Sequence, residues 1–586
     1  FKNYQVDWMY SRYLFWNFIG RQNENKGTGD ILNGNWISGI NAFDKYKIGD
    51  KSVIPDTYQN DKSNDGYYFL PFILGILGLF ALRKNKAYFF TTLVFFLTFG
   101  LGIIVYLNPV PESVLVRERD YIFLGSFIVF SLWVGLSIIT IYTWLSKITS
   151  EKVKIGIVSV VVFSCAPFQL LAKNWDNHQR SKDNFAYDLG KAYLDSCPKN
   201  AILITNGDNF TFPLWYLQEV ESYRTDVRVI NFDQLNLESY IDKLKYKSLD
   251  SEPINFTFSK VNYIEGNPKL FPLKKETGQP ADVKLVVEFL NNEKTKINWN
   301  GKQQHYIPAD VFKVAIDSSK FEYNLFDSKA LKANYVSAIA WKYSKDFYAL
   351  NELMLMDIIQ NNIHEKPICF AVNGQFDHYL GLQDFMIHEG FVEVLSPMIR
   401  RNKELNPKIV DTKRVYSLLM ETMPFGKFNN ETEFIRFENR EYIQSIVRRN
   451  YYFLAQALIE DGENDKAKLV LDKCLLSFPS KTIAYKQFAF ALGKLYYRIG
   501  DSQKGEEVCL KAMDNVWEEL QWITSVDNPG NPILNVKKAS KLKEMYEQMI
   551  NQLANYNSEE ANKRKMELEA FTRHFSIWLS KNWPYN

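Results

Sequence analysis

Residues that carry chemistry are scarce in this sequence. Its 586 residues hold five cysteines and six histidines. Cys165, Cys197, Cys369, Cys474 and Cys509 form no C-x-x-C pair, and so odd and scattered a set argues against a disulfide framework and a structural zinc site. No two of His178, His305, His364, His378, His388 and His574 stand at metal-ligand spacing, and His388-Glu389 lacks the second histidine of H-E-x-x-H. Neither G-x-S-x-G nor G-x-G-x-x-G occurs, which argues against a serine-hydrolase elbow and a dinucleotide fingerprint. Net charge is small too. Lys+Arg 70 against Asp+Glu 67 leaves +3, too balanced for a protein that binds nucleic acid by neutralising phosphates. The first residue is Phe1, no signal-peptide pattern follows, and residues 1–22 read as the interior of something; the expectation is the C-terminal part of a longer protein.

What is present divides unevenly. Hydrophobic residues make up 46% and charged ones 23%, yet residues 67–171 are mostly apolar runs and the rest is polar. The length implies three or four domains. Four stretches, 67–82, 87–107, 121–145 and 153–172, are predicted to cross a bilayer whose apolar core is roughly 30 Å thick. The short basic loops at 83–86 (Arg83, Lys84, Lys86) and 147–154 (Lys147, Lys152, Lys154) belong on the cytoplasmic side. The segments 1–66, 108–120 and everything beyond 172 are then extracytoplasmic. The expected division is an outer loop region with an interfacial helix (1–66), four transmembrane helices (67–172), an α/β domain (173–430) and a tetratricopeptide-like helical domain (431–586).

Two regions offer candidate binding residues. VRERDY (116–121) sets Arg117, Glu118, Arg119 and Asp120 against a membrane span, where ionisable groups are costly and usually functional. An arginine fork there suits a lipid phosphate, with Asp120 orienting it or a sugar hydroxyl; a helix-end anchor would read the same way. Aromatics, amides and arginines alternate between 8 and 39. Arg12, Arg21, Asn35 and Trp36 are the candidates there for a headgroup- or sugar-facing surface. In the polar half, a helix at 185–196, a strand at 201–205, a helix at 212–222 and a strand at 227–232 predict parallel pairing with a right-handed crossover. Asn206, Asp208 and Asn209 follow the first strand, where such sheets bind ligands, although they are also good turn and cap residues. From about 440 the chain reads as helical. Gly462 and Gly500 stand 38 apart in a loose repeat, somewhat longer than the tetratricopeptide period.

FWNFIGRQN (15–23), ILNGNWISGI (31–40), RERDYIFLGSF (117–127), ITNGDNFTFPLWYLQEVE (204–221) and TDVRVIN (225–231) stand in the order found in a family of large bacterial membrane proteins. The chain resembles the protein O-mannosyltransferase-like proteins of glycosyltransferase family 117 over nearly its whole length. The resemblance implies a GT-C membrane enzyme that moves a sugar from a polyprenyl-phosphate donor to protein hydroxyls outside the cytoplasm. It also implies residence in the bacterial inner membrane, with the polar domains in the periplasm. No cofactor and no metal are implied. The catalytic carboxylate of that fold usually sits in the first outer loop, expected to lie outside this chain, so no residue is assigned as the base. The alternative is a membrane-anchored periplasmic scaffold whose helical repeats bind envelope or secretion partners.

Overall fold

A computed structural model describes residues 2–27, 29–108, 120–148, 150–181, 183–317, 319, 335–373, 377–399, 408–423, 428–430, 434–527 and 530–583. Two compact units divide the chain. The first takes Phe1–Lys182, Phe428–Glu441 and Phe478–Asn586; the second takes Asp183–Lys427 and Tyr442–Ser477.

In the first unit, three helices among the described residues are long and apolar enough to cross a membrane: Lys86–Leu107, Asp120–Trp144 and Glu151–His178. The remaining expected span contracts to Leu70–Leu82, whose 13 residues reach only about 20 Å. Its start is fixed locally. Pro71 sits in the first turn, and Tyr68 and Phe69 take positive φ, so the helix cannot extend backwards. This helix lies closely on Asp120–Trp144, with Gly78 set against the Trp133 backbone and Thr140 Oγ1 donating to the Leu77 carbonyl at 2.8 Å. Both contacts suit apolar surroundings, where small residues and hydroxyls join helices. The Arg12–Phe18 helix does not lie on a surface as an amphipathic strip. Tyr13, Leu14, Trp16 and Phe18 are buried in a core with Tyr10, Phe123, Phe130 and Trp133. Aromatic residues occupy too much of its circumference to leave one polar face.

The helical tail is shared between the units. Arg448–Glu460 and Asn464–Ser477 group with the second; Gln487–Arg498, Ser502–Thr524, Pro532–Leu553 and Ser558–Asn582 group with the first. The aligned glycines make turns: Gly462 and Gly500 take φ +80° and +88° and terminate helices. Close helix approach falls instead to Gly493 and Gly505, where an added Cβ would strike Cys509 or Tyr497.

The second unit centres on a six-stranded sheet. Its strands are β1 (Ile202–Thr205), β2 (Arg228–Asn231), β3 (Ile368–Ala371), β4 (Met386–His388), β5 (Val392–Leu395) and β6 (Ile409–Val410), in the order β6-β4-β5-β3-β1-β2. β3, β1 and β2 run parallel, with Leu203 opposite Cys369 and Val229; β5 runs antiparallel to both β3 and β4. β1 and β3 are buried throughout, as expected of strands covered on both faces. The Phe185–Ser196 helix agrees with its predicted bounds. The next helix starts at Asp208, before the predicted 212, because Gly207 at φ +79° turns the chain straight from strand into helix.

Candidate functional site

A cavity of about 870 Å³ opens in the first unit, a volume within the usual range for small-molecule sites. Five pieces of chain line it. The Arg12–Phe18 helix gives Trp16 and Asn17; the following segment gives Arg21, Glu24 and Lys26; the start of Asp120–Trp144 gives Asp120; and Tyr67 closes another side. The last piece is the end of Glu151–His178, with Pro167, Leu170, Leu171, Asn174, Trp175, His178 and the adjoining Gln179. Pro167 falls in the π-helical stretch Ser164–Phe168, where its missing N–H interrupts the regular ladder. Apolar side chains thus give way to polar ones along one helix.

Charge in the cavity is arranged in pairs. Lys26 Nζ lies 2.6 Å from Asp120 Oδ1. Arg21 Nε donates to Asp65 Oδ2 at 3.2 Å, and the same oxygen accepts from Asn177 Nδ2 at 2.7 Å. His178 Nδ1 lies 2.7 Å from Asn177 Oδ1, and the Tyr67 hydroxyl donates to Asn174 Oδ1 at 2.9 Å. Glu24 Oε1 accepts the Phe437 N–H. Burial pushes the Glu24 carboxyl above its ordinary value, against the lowering pull of that N–H and of Arg436, Arg440 and Arg180. Burial raises Asp65 in the same way, despite Arg21. Trp16, 7% exposed, has a buried indole Nε1 with no hydrogen-bond partner among the described residues. A buried donor left without a partner is suited to a bound water.

The structure separates the sequence-predicted residues. Asp120 and Arg21 line the cavity. Arg117, Glu118 and Arg119 lie outside the described residues. Arg12 is committed to the fold: its guanidinium donates to the Trp8, Lys26 and Gly34 carbonyls and lies 4.0 Å from the Trp8 ring and 4.1 Å from the Tyr13 ring. Asn35 is likewise internal, its amide donating to Gln22 Oε1 and the Asp30 carbonyl. Trp36 packs edge-on against Phe15 and Phe69 beneath the Lys47 ammonium, which burial lowers to about 7. In the second unit, Asn206, Asp208 and Asn209 do follow β1, and Asp208 and Asn209 are exposed there. Thr211 Oγ1 donates to the Gly207 carbonyl at 2.8 Å, and Asn209 Nδ2 reaches the Tyr442 hydroxyl at 3.5 Å.

Sequence reading missed Glu24, Lys26, Asn174, Trp175 and His178. The polar run Asn23-Glu24-Asn25-Lys26 directly after an aromatic helix was the available signal for the first two. Among the described residues no three His, Cys, Asp or Glu side chains converge as a metal site. The arrangement can hold an anion on Arg21 and Lys26, offer carboxylates to hydroxyl groups, and stack a ring on Trp175.

No curated protein and no solved structure matches the chain significantly. Residues 186–414, which fall within the second unit and take in its six-stranded sheet, are similar to TMEM260-associated domain 2.

Proposed function

We propose that the protein is a GT-C-type membrane glycosyltransferase that moves mannose from a polyprenyl-phosphate donor to protein hydroxyls. The observation that carries this reading is the cavity where apolar helices end, with two cations and two carboxylates on its wall. Lys26 and Arg21 suit the donor phosphate, with the lipid tail running along Pro167, Leu170 and Leu171. Transfer breaks the sugar C1–O bond to phosphate and forms a C1–O bond to the acceptor; the acceptor proton passes to a carboxylate, for which Glu24 and Asp120 are at hand. The similarity to a TMEM260-associated domain and the sequence resemblance to protein O-mannosyltransferase-like proteins support the reaction class. In this reading the loops at 83–86 and 147–154 face the cytoplasm, the cavity and the second unit lie on the periplasmic side of the bacterial inner membrane, and the tail helices act as a tetratricopeptide-like platform for acceptor proteins.

The test is mannose transfer from polyprenyl-phosphate mannose to serine- and threonine-rich acceptors by the intact protein in lipid nanodiscs. Donor-dependent glycosylation, weakened by Lys26→Ala, supports the reading. Absence of both donor binding and transfer, with every nucleotide-free sugar donor tried, would overturn it.

A further inference from the structure

The wall segment 21–26 turns its cationic and acidic side chains to the cavity and its amides the other way. Gln22 and Asn23, 3% and 4% exposed, clamp the neighbouring loop. Gln22 Nε2 donates to the Ile31 carbonyl at 2.8 Å, and its Oε1 accepts from the Asn35 amide at 2.8 Å. Asn23 Nδ2 donates to the Leu32 carbonyl at 3.1 Å, and its Oδ1 accepts the Gly34 N–H at 3.2 Å. That loop rests on the Pro532–Leu553 helix. Asn535 Oδ1 accepts the Ile31 N–H at 2.9 Å, while Asn535 Nδ2 donates to the Asn531 carbonyl at 2.8 Å. Lys538 Nζ lies 2.9 Å from Asp30 Oδ2, and Asn535 and Asp30 are 0% and 1% exposed. A second tie is equally short. Arg440 pairs with Asp61 at 2.5 Å, Asp61 Oδ1 holds Ser63, and Ser63 Oγ accepts the Glu24 N–H at 3.0 Å.

We propose that Asn535 is a positioning residue for the cavity, holding the 21–26 wall in its ligand-competent shape through Ile31 and Gln22. This rests on reading the cavity as a binding site, and it makes the C-terminal helices part of that site's frame. One side-chain amide fixes both the loop amide and its own helix start, so the wall's rigidity depends on a helix remote in sequence. Buried N–H groups need acceptors, and removing this one frees the whole chain of clamps.

The experiment is hydrogen exchange on the intact protein in nanodiscs, with decaprenyl phosphate as the binding probe. Asn535→Ala is expected to speed amide exchange about tenfold or more across both 21–26 and 29–35, leaving 350–362 unchanged. Asn535→Asp keeps the acceptor oxygen for Ile31 but loses the donor to the Asn531 carbonyl, so it is expected to restore slow exchange only in part; it also serves if the alanine variant misfolds. Decaprenyl phosphate affinity should fall severalfold in Asn535→Ala and recover in part in Asn535→Asp. Faster exchange confined to 29–32, with 21–26 as protected as in the wild type, would overturn the proposal. So would unchanged affinity in a variant with an accelerated wall. A wild-type protein that ignores the probe while exchange behaves as expected would sink the phosphate reading and uphold the positioning role.

Discussion

Two carboxylates in this molecule sit away from their ordinary proton affinities in ways that can be measured. Glu24 is raised by burial, which makes its carboxylate a stronger base than an ordinary one. Glu24→Gln is expected to lower sugar transfer by about 10²–10⁴-fold while leaving donor affinity near wild type. Lys26→Ala should do the reverse, weakening donor binding about tenfold or more through a lost charge-assisted contact. Equal loss of binding and transfer in Glu24→Gln would mark that residue as structural. Glu389 is the second case. Wholly buried and 2.7 Å from Arg414, it is pushed by burial from 4.5 up to about 7, with Arg414 pulling the other way. Between those two values the folded state holds more protons than the unfolded one. Stability therefore is full below pH 4.5 and falls as pH rises towards 7. Thermal melts of wild type and Glu389→Gln at pH 5 and 8 test this. The wild type should lose more stability across the interval, by up to about 3 kcal/mol, and parallel losses would contradict it.

Among the elements, the Leu70–Leu82 helix is the most constrained by its neighbour. A methyl at Gly78 would meet the Trp133 backbone, which cannot rotate aside, whereas one at Gly75 meets only the Phe130 ring. Gly78→Ala should therefore destabilise the first unit by about 1–3 kcal/mol and Gly75→Ala by clearly less, read as melting temperature in detergent. A tolerated Gly78→Ala would show that the two helices can part. This same helix shows where sequence reading reaches its limit. The β-α-β order from 201 to 232 was legible because continuous apolar runs and an Asn-Gly turn carry the information locally. The length of Leu70–Leu82 was not, because it hangs on the positive φ of Tyr68 and Phe69, which hydropathy does not encode. Arg12 and Trp36 look like surface groups in sequence. Arg12 is buried and Trp36 half-buried because neighbouring carbonyls and rings converge on them from other segments.

For the whole molecule, the tail cannot be an independent appendage. Beyond the Asn535 and Lys538 ties, the Tyr58 hydroxyl donates to Glu519 at 2.9 Å and Trp522 Nε1 donates to the Ile48 carbonyl at 2.5 Å. A repeat array that contacted only its own neighbours would be dispensable for the membrane part. Here, truncation after residue 477 is expected to abolish donor binding and to leave segment 17–66 sensitive to protease. Retained binding by the truncated protein would show that the tail only presents acceptors. The cavity was not legible in the sequence for the same reason, since Lys26 and Asp120 stand 94 residues apart and no local pattern joins them.

Because the first unit is assembled from Phe1–Lys182, Phe428–Glu441 and Phe478–Asn586, its order of manufacture matters. Ile31 must wait for an acceptor 504 residues downstream. At roughly 5–20 residues per second, the ribosome delivers Asn535 roughly 25–100 s after Ile31. Throughout that interval the loop lacks this acceptor, so a prematurely stopped chain can carry every cavity-lining residue without the helix that braces their wall.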